Sequence, residues 1–486
     1  MPNEYIQTVS VDFDHILCED YRGMSAVYHA YAYSPEYELR GYTDADREKE
    51  FDLVKQARLR IVRTYFYPHY NCADINGPFD MHCPRMESVR KWCAKMQELG
   101  VEVAMQAGWH FPMNTYFGHE RPDADRDPEA FAAWVAATMG YLLDDCGLTN
   151  IRYLMLFTEP TSYCSGLLPE GWRTWDYYVR VCRAIDRALR DRGLRNRLRL
   201  VGPNNTFGGV HTDHRYQIGD GEMGGTNLAE AVRELNDVID IYSSHDYNFL
   251  HQNMWEGMCR RMAEIVAPTG KPFWLDEYGM QPEILRTTAL YGNFIAQIMT
   301  ASMAAGHQTT MIWSLFDQLF PSNTPMGLPE GAEDDGSHNY NRDSFHNGVH
   351  RCGVRSFARD DFAGAGAPYE SWYAFKLLAQ ALGGRIGGGK LRLCKTEHAL
   401  TLYGGAMRQD EDFTVLVVNT NATPARLDLR LGREIGPVYR HVFAPCSDLP
   451  GMGAEAAPVR MRTNDGALTD ILPKSGFAIY TTREVL

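Results

Sequence analysis

The chain has 486 residues, 44% hydrophobic and 23% charged, enough for a large buried core and too apolar for a disordered polymer. Its formal charge of −14, from 48 basic and 62 acidic residues, excludes nucleic acid or an anionic membrane as the main partner. No run approaches ~18 apolar residues, so no membrane span is expected.

The N-terminal MPNEYIQTVSVDFDHIL shows no basic region followed by an apolar stretch, so no signal peptide is read, although a chain with its leader removed would look the same. From about residue 43 the sequence alternates helical and strand patterns. Thr43–Leu59 opens with a capping Thr and acidic residues and leads into RIVRTYFY. PRMESVRKWCAKMQELG ends in Gly100, a helix C-cap signal, before VEVAMQAGWH. DPEAFAAWVAATMGYLLDD feeds IRYLMLFTEP, and a long helix around TWDYYVRVCRAIDRALRDRG precedes LRLVGPN. LAEAVRELNDV with IDIYSSHDY, MWEGMCRRMAEIVAPTG with KPFWLDEYGM, and TTALYGNFIAQIMTASMAAG with HQTTMIWSLFDQ complete the alternation. A first strand near VSVDFDHIL, or in the following YRGMSAVYHAYAY, makes eight strands. Alternating units of this number predict a closed (β/α)₈ barrel over residues 1–383, with PYESWYAFKLLAQAL as the closing helix. Beyond Gly383 short alternating runs (HALTLYGG, DFTVLVVNT, RLDLRL, VYRHVFA, SGFAIYTT) predict a C-terminal antiparallel β-sandwich domain over 384–486.

In such barrels functional groups sit at the C-terminal ends of strands. Those ends read Arg63, Trp109 and His110, Glu159, Asn204, His245 and Tyr247, Glu277, and Trp313. Glu159 and Glu277 end the fourth and seventh strands, on opposite sides of the barrel mouth, each in an apolar strand where an idle carboxylate is costly to bury. Two carboxyl groups facing one another across a cleft are what glycoside hydrolysis requires. Asp276 competes with Glu277 for this role. Adjacent strand residues face opposite sides, so only one of the two is expected to reach the cleft.

The arrangement resembles clan A glycoside hydrolases, barrel enzymes with an acid/base at the end of strand four and a nucleophile at the end of strand seven. The resemblance implies that Glu159, in FTEP, is the acid/base and that Glu277, in LDEYG, is the nucleophile. It further implies that Arg63 and Tyr247 hydrogen-bond the nucleophile, with His245 beside Tyr247 on strand six. Trp313 would floor the sugar subsite and His110 would contact the sugar, with Trp109 and Asn204 at neighbouring strand ends. Thr158 departs from the family, which usually carries Asn before the acid/base to bind the sugar 2-OH. The implied activity is retaining hydrolysis of a β-glucoside, β-galactoside or β-mannoside, exo-acting because long loops suit a pocket. An endo-acting β-glycanase and a non-catalytic carbohydrate-binding barrel are the alternatives, and transglycosylation would use the same residues. Glu159 needs a raised pKa to start protonated.

No cofactor or metal is expected: His338, His346 and His350 share one polar loop without metal-ligand spacing. The 11 cysteines include no CxxC pair and read as reduced thiols of a cytoplasmic protein. GRIGGGK (384–390) lacks the Ser or Thr of a phosphate loop and reads as an interdomain linker. The sequons at Asn204 and Asn421 carry little meaning without a secretion signal. Trp172 and Trp175 either line the cleft or pack inward at the start of a helix. The partner is an oligosaccharide or glycoside, and the long stretch 318–368 or the β domain could also carry homo-oligomer contacts.

Overall fold

A computed structural model gives the fold, describing residues 6–39, 42–72, 75–108, 127–159, 174–206, 226–247, 252–280, 283–316, 318–319, 345–346, 349–350, 368–383, 389–397, 401–444, 457–483 and 485. The first strand, β1 (Ile6–Tyr21), lies outside the barrel. Eight later strands close the parallel barrel in chain order: β2 (Met24–Val27), β3 (Ile61–Phe66), β4 (Glu102–Ala107), β5 (Ile151–Leu156), β6 (Arg199–Thr206), β7 (Ile241–Asp246), β8 (Phe273–Tyr278) and β9 (Thr309–Ile312). Of the two positions expected for the first barrel strand, the chain uses the later one.

Local signals set the helix ends. Thr43 caps the helix Asp44–Ala57 in a reciprocal box with Asp46, whose Oδ2 accepts the Thr43 N–H at 2.8 Å. The helix Pro84–Glu98 starts on proline and is followed by Gly100 at φ 72°, a backbone conformation glycine adopts without steric cost. Asp127 accepts from the Glu129 N–H at 2.9 Å to start the helix Pro128–Gly140, which ends in a π-turn at Tyr141–Asp145.

The barrel strands bury both faces, one against surrounding helices and one against the interior. Ile61, Ala104, Tyr153, Met155, Val201, Ile241, Trp274 and Met311 fill that interior as an apolar cluster. The ion pair of Arg22 with Glu102 (2.8 Å), joined by the Tyr153 hydroxyl on Glu102 (2.8 Å), anchors strands β4 and β5 to the segment entering β2. Above the cluster, at the opposite end of the strands, the side chains become polar.

A second sheet of nine strands runs in the order β18 (Val459–Met461), β17 (Val438–Phe443), β20 (Gly476–Thr481), β15 (Asp412–Asn419), β14 (Leu402–Gln409), β13 (Gly389–Glu397), β1, β16 (Ala425–Arg430), β19 (Ala467–Leu472). A C-terminal sandwich drawn from residues 384–486 and packed on the barrel was expected. Instead β1 enters this sheet, antiparallel to β13 and parallel to β16, so the sheet draws strands from both chain ends. Register shifts after Asp12, Ile16 and Cys18 bend β1. The two halves of the sheet close over Val9, Val11, Leu427, Leu429, Val415 and Tyr480. The helix Ala289–Ala304 lies between barrel and sheet, and a Cβ at Gly292 would stand 2.5 Å from Ala374 and 2.7 Å from Phe443, so only glycine allows this approach. A two-residue strand Gln318–Leu319 (β10) pairs with Val349–His350 (β12), which also pairs with Phe345–His346 (β11). Gly389 and Lys390 of the glycine-rich run begin β13 rather than a phosphate loop. All eight described cysteines are free, and among the described residues no helix is long and apolar enough to cross a membrane.

One buried acid ties stability to pH. Glu50, 4% exposed, accepts a hydrogen bond from the Tyr42 hydroxyl. Burial pushes its carboxyl up to about 7 from 4.5, against the opposing hydrogen bond from Tyr42. The folded state therefore holds a proton that the unfolded chain releases, and stability falls as pH rises between about 4.5 and 7. Glu50→Gln is expected to flatten that fall by roughly 3 kcal/mol, read from urea unfolding across this pH range.

Candidate active site

The site grows from alternation within the barrel. On β3, Ile61 belongs to the apolar interior layer and Arg63, two residues on, rises above it into the polar zone. Arg63 is therefore a mid-strand residue, fully buried, and not a strand end. Its Nη1 donates to Glu277 Oε2 (3.0 Å) and to the Asp276 carbonyl (2.9 Å), while Nη2 donates to Thr158 Oγ1 (3.0 Å). Burial alone would weaken the charged guanidinium, yet Tyr65, Glu277 and Asp276 outweigh it and hold Arg63 firmly protonated.

Glu159 and Glu277 both reach this zone, and both are buried, 7% and 6% exposed. Past β5 the backbone turns through Phe157 (φ 65°) and Glu159 (φ 45°), both in the left-handed region that L-residues rarely adopt. This turn sends Phe157 outward against Phe131, at 5.0 Å, and leaves Thr158 on Arg63. Such conformations cost on the order of 1–3 kcal/mol each and persist where surrounding contacts fix them. Asn204 supplies that bracing. Its carbonyl accepts the Glu159 N–H (2.9 Å), its amide donates to the Phe157 carbonyl (2.8 Å), and its Oδ1 accepts from Ser243. Its side chain is fully buried, with its polar atoms bonded to Phe157 and Ser243.

His245 joins the two glutamates. Its Nδ1 lies 2.9 Å from Glu159 Oε1, and its Nε2 lies 3.6 Å from Glu277 Oε2 and 3.4 Å from Arg63 Nη1. Burial would depress the imidazole, but Glu277, Asp276 and Glu159 together raise its pKa above 6.5. The Tyr247 hydroxyl donates to Glu277 Oε1, and Tyr65 donates to Oε2 at 3.5 Å. Burial, with Glu277 alongside, pushes the Tyr247 phenol well up, so it remains a donor.

Asp276 lies beside the same guanidinium as Glu277. The β-ladder slips between Ser244 and His245 on one side of β8 and between Leu275 and Tyr278 on the other. This irregularity breaks strict alternation, and consecutive residues Asp276 and Glu277 both address Arg63, at 3.9 and 3.0 Å. Asp276 is fully buried, whereas Glu277 retains slight exposure.

Trp313 is 6% exposed, edge-on to His29 (5.5 Å) and Tyr65 (6.0 Å), and its carbonyl accepts from Arg286 Nη1 at 2.8 Å. Arg286 also donates to the Met280 carbonyl at 2.9 Å. Gly279 makes room for it, since a Cβ there would lie 2.7 Å from the guanidinium carbon. Sequence reasoning missed Tyr65, His29 and Arg286. Tyr65 was accessible, being two residues beyond Arg63 on the same strand face, whereas Arg286 follows β8 in a 3₁₀ turn with no motif around it. Trp109, His110 and Trp172 lie outside the described residues, as do the side chains of His338, His346 and His350. Trp175 packs inward, its indole N–H on Glu234 Oε2 at 3.1 Å.

Glu159, His245 and Glu277 each present one ligand-type atom, all within 4.8 Å of one another, a cluster that linear spacing does not reveal. The Arg63 guanidinium sits against two of the three, Glu277 and His245, as a fixed cation. Removing that cation as Arg63→Met leaves two buried carboxylates facing each other. The expected cost is about 3–5 kcal/mol in urea unfolding at neutral pH.

No protein-family model matches the chain, and no curated protein matches it in sequence. Solved structures do match in fold. The catalytic domain of GH30 xylanase C from Talaromyces cellulolyticus superposes with a TM-score of 0.64 at 12% identity, covering 98% of this chain and 100% of that one. A glucosidase from Croceicoccus marinus gives 0.61 at 13% identity, covering 99% and 100%. A monomeric β-xylosidase from Caulobacter crescentus CB15 gives 0.60 at 12% identity, covering 98% and 99%. At these identities the likeness establishes the architecture, a (β/α)₈ barrel carrying a β-sandwich, along the whole chain.

Proposed function

We propose that the chain is a retaining β-glycosidase in which Glu277 is the nucleophile and Glu159 the acid/base. The observation that carries this reading is the pair of buried glutamates, whose facing oxygens lie within 4.8 Å. Retaining enzymes hold their carboxyl groups about 5–5.5 Å apart, whereas inverting ones leave about 6.5–9.5 Å for a water. Structures that share this fold include a xylanase, a glucosidase and a β-xylosidase, which supports a glycoside as substrate.

Glu277 attacks the anomeric carbon while Glu159 protonates the leaving oxygen. Water, deprotonated by Glu159, then releases the sugar with its configuration retained. Arg63, Tyr247 and Tyr65 hold the Glu277 oxygens in place for the attack. Thr158 Oγ1 accepts from Arg63, which ties the residue before Glu159 to the same guanidinium that holds Glu277. We further propose exo action on a β-glucoside, β-galactoside or β-mannoside, a reading supported by the long connection over 318–368.

Hydrolysis of nitrophenyl β-glycosides of glucose, galactose, mannose, xylose and fucose tests the reading. One sugar should be cleaved from chain ends, and Glu277→Ala should lose activity by a factor of about 10⁴ or more. Azide should rescue that variant as the α-glycosyl azide. Activity that survives the loss of both glutamates would sink the proposal.

A further inference from the structure

Asp276 has no role in the two-carboxylate scheme, yet its position is unusual. It is fully buried, and among the described residues neither carboxylate oxygen has a hydrogen-bond partner. A buried anion left in that state is costly, and a neutral residue of the same size would serve packing alone. Among the described residues its oxygens stand at ion-pair range from Arg63 Nη1, at 3.9 Å, and His245 Nε2, at 3.7 Å. Both of those groups also face Glu277, at 3.0 and 3.6 Å.

The charges change during a retaining reaction, and this inference rests on that mechanism. When Glu277 attacks, its carboxylate becomes a neutral ester. The glycosidic C–O bond breaks, the Glu159 proton moves to the leaving oxygen, and the negative charge passes from Glu277 to Glu159. Arg63 then keeps its positive charge in a fully buried position while its nearest anion has been removed. We propose that Asp276 is a positioning residue, the standing counter-ion that keeps Arg63 and His245 paired while Glu277 is tied up as the glycosyl ester. The slipped ladder around β8 is what allows it, because it brings two consecutive acids to one guanidinium. Glu277 is the anion consumed and restored in each turnover; Asp276 is the one that stays.

The test compares the covalent intermediate with the resting enzyme, using dinitrophenyl 2-deoxy-2-fluoro β-glycosides of glucose, galactose, mannose and xylose. Wild-type protein should take the label on Glu277 and melt no lower than the unlabelled form. Asp276→Asn should label more slowly by about tenfold or more, and its labelled form should melt below its own unlabelled form. Asp276→Glu, which keeps the charge, should recover part of both. Equal labelling rates, or a variant whose labelled and unlabelled forms are weakened alike, would overturn the assignment and leave Asp276 a structural residue. If Asp276→Asn does not fold, Asp276→Ser gives the same two readings, and failure of both neutral variants to fold also overturns it. Wild-type protein that takes no label from any of the four sugars overturns the retaining reading first, and this one with it.

Discussion

A guanidinium buried in a barrel is stable only if several polar groups surround it, and Arg63 meets that demand with partners from three other places in the chain. Glu277 and the Asp276 carbonyl come from β8, Thr158 from the turn after β5, and His245 from β7, while Arg63 itself stands on β3. None of these segments is near β3 in sequence, so the cation is satisfied only once the barrel has closed. The same contact then orients the proposed nucleophile. Fold completion and site assembly are in this sense one event. The small residue before Glu159 fits this arrangement, because a threonine hydroxyl reaches the guanidinium without filling the space above it.

Several departures from regular strand geometry lie around that cation. Phe157, Glu159 and Asn204 take left-handed backbone conformations, and β8 slips against both neighbours. Elsewhere in the barrel alternation holds well enough to fill the interior with Ile61, Val201, Ile241 and Trp274. Local backbone cost is accepted where side chains must converge, and the apolar layer beneath offsets it.

How much of this was legible follows from which signals are local. The βα alternation and the strand-end positions of Glu159, Glu277 and Trp313 could be read directly, because apolar runs bounded by caps carry their own punctuation. Arg63 was found as a partner of Glu277, though it lies mid-strand. The role of Asn204 could not be read, since it depends on a turn conformation shared with Phe157 and Glu159. The simultaneous access of Asp276 and Glu277 contradicts simple alternation and requires knowing the register of β7 and β9. The place of β1 was likewise hidden, because its alternating pattern suits any half-buried sheet and only pairing with β13 and β16 decides between them.

The pairing of β1 also sets an order on synthesis. Its antiparallel partner β13 and parallel partner β16 lie near the other end of the chain, so β1 leaves the ribosome long before either exists. At roughly 5–20 residues per second, β1 waits tens of seconds for these neighbours. During that interval Val9, Val11 and Phe13 have no apolar cluster to join. The barrel can begin to assemble without them. A nascent chain stalled before β13 would carry β1 unpaired, the kind of segment that chaperones hold and that aggregates recruit.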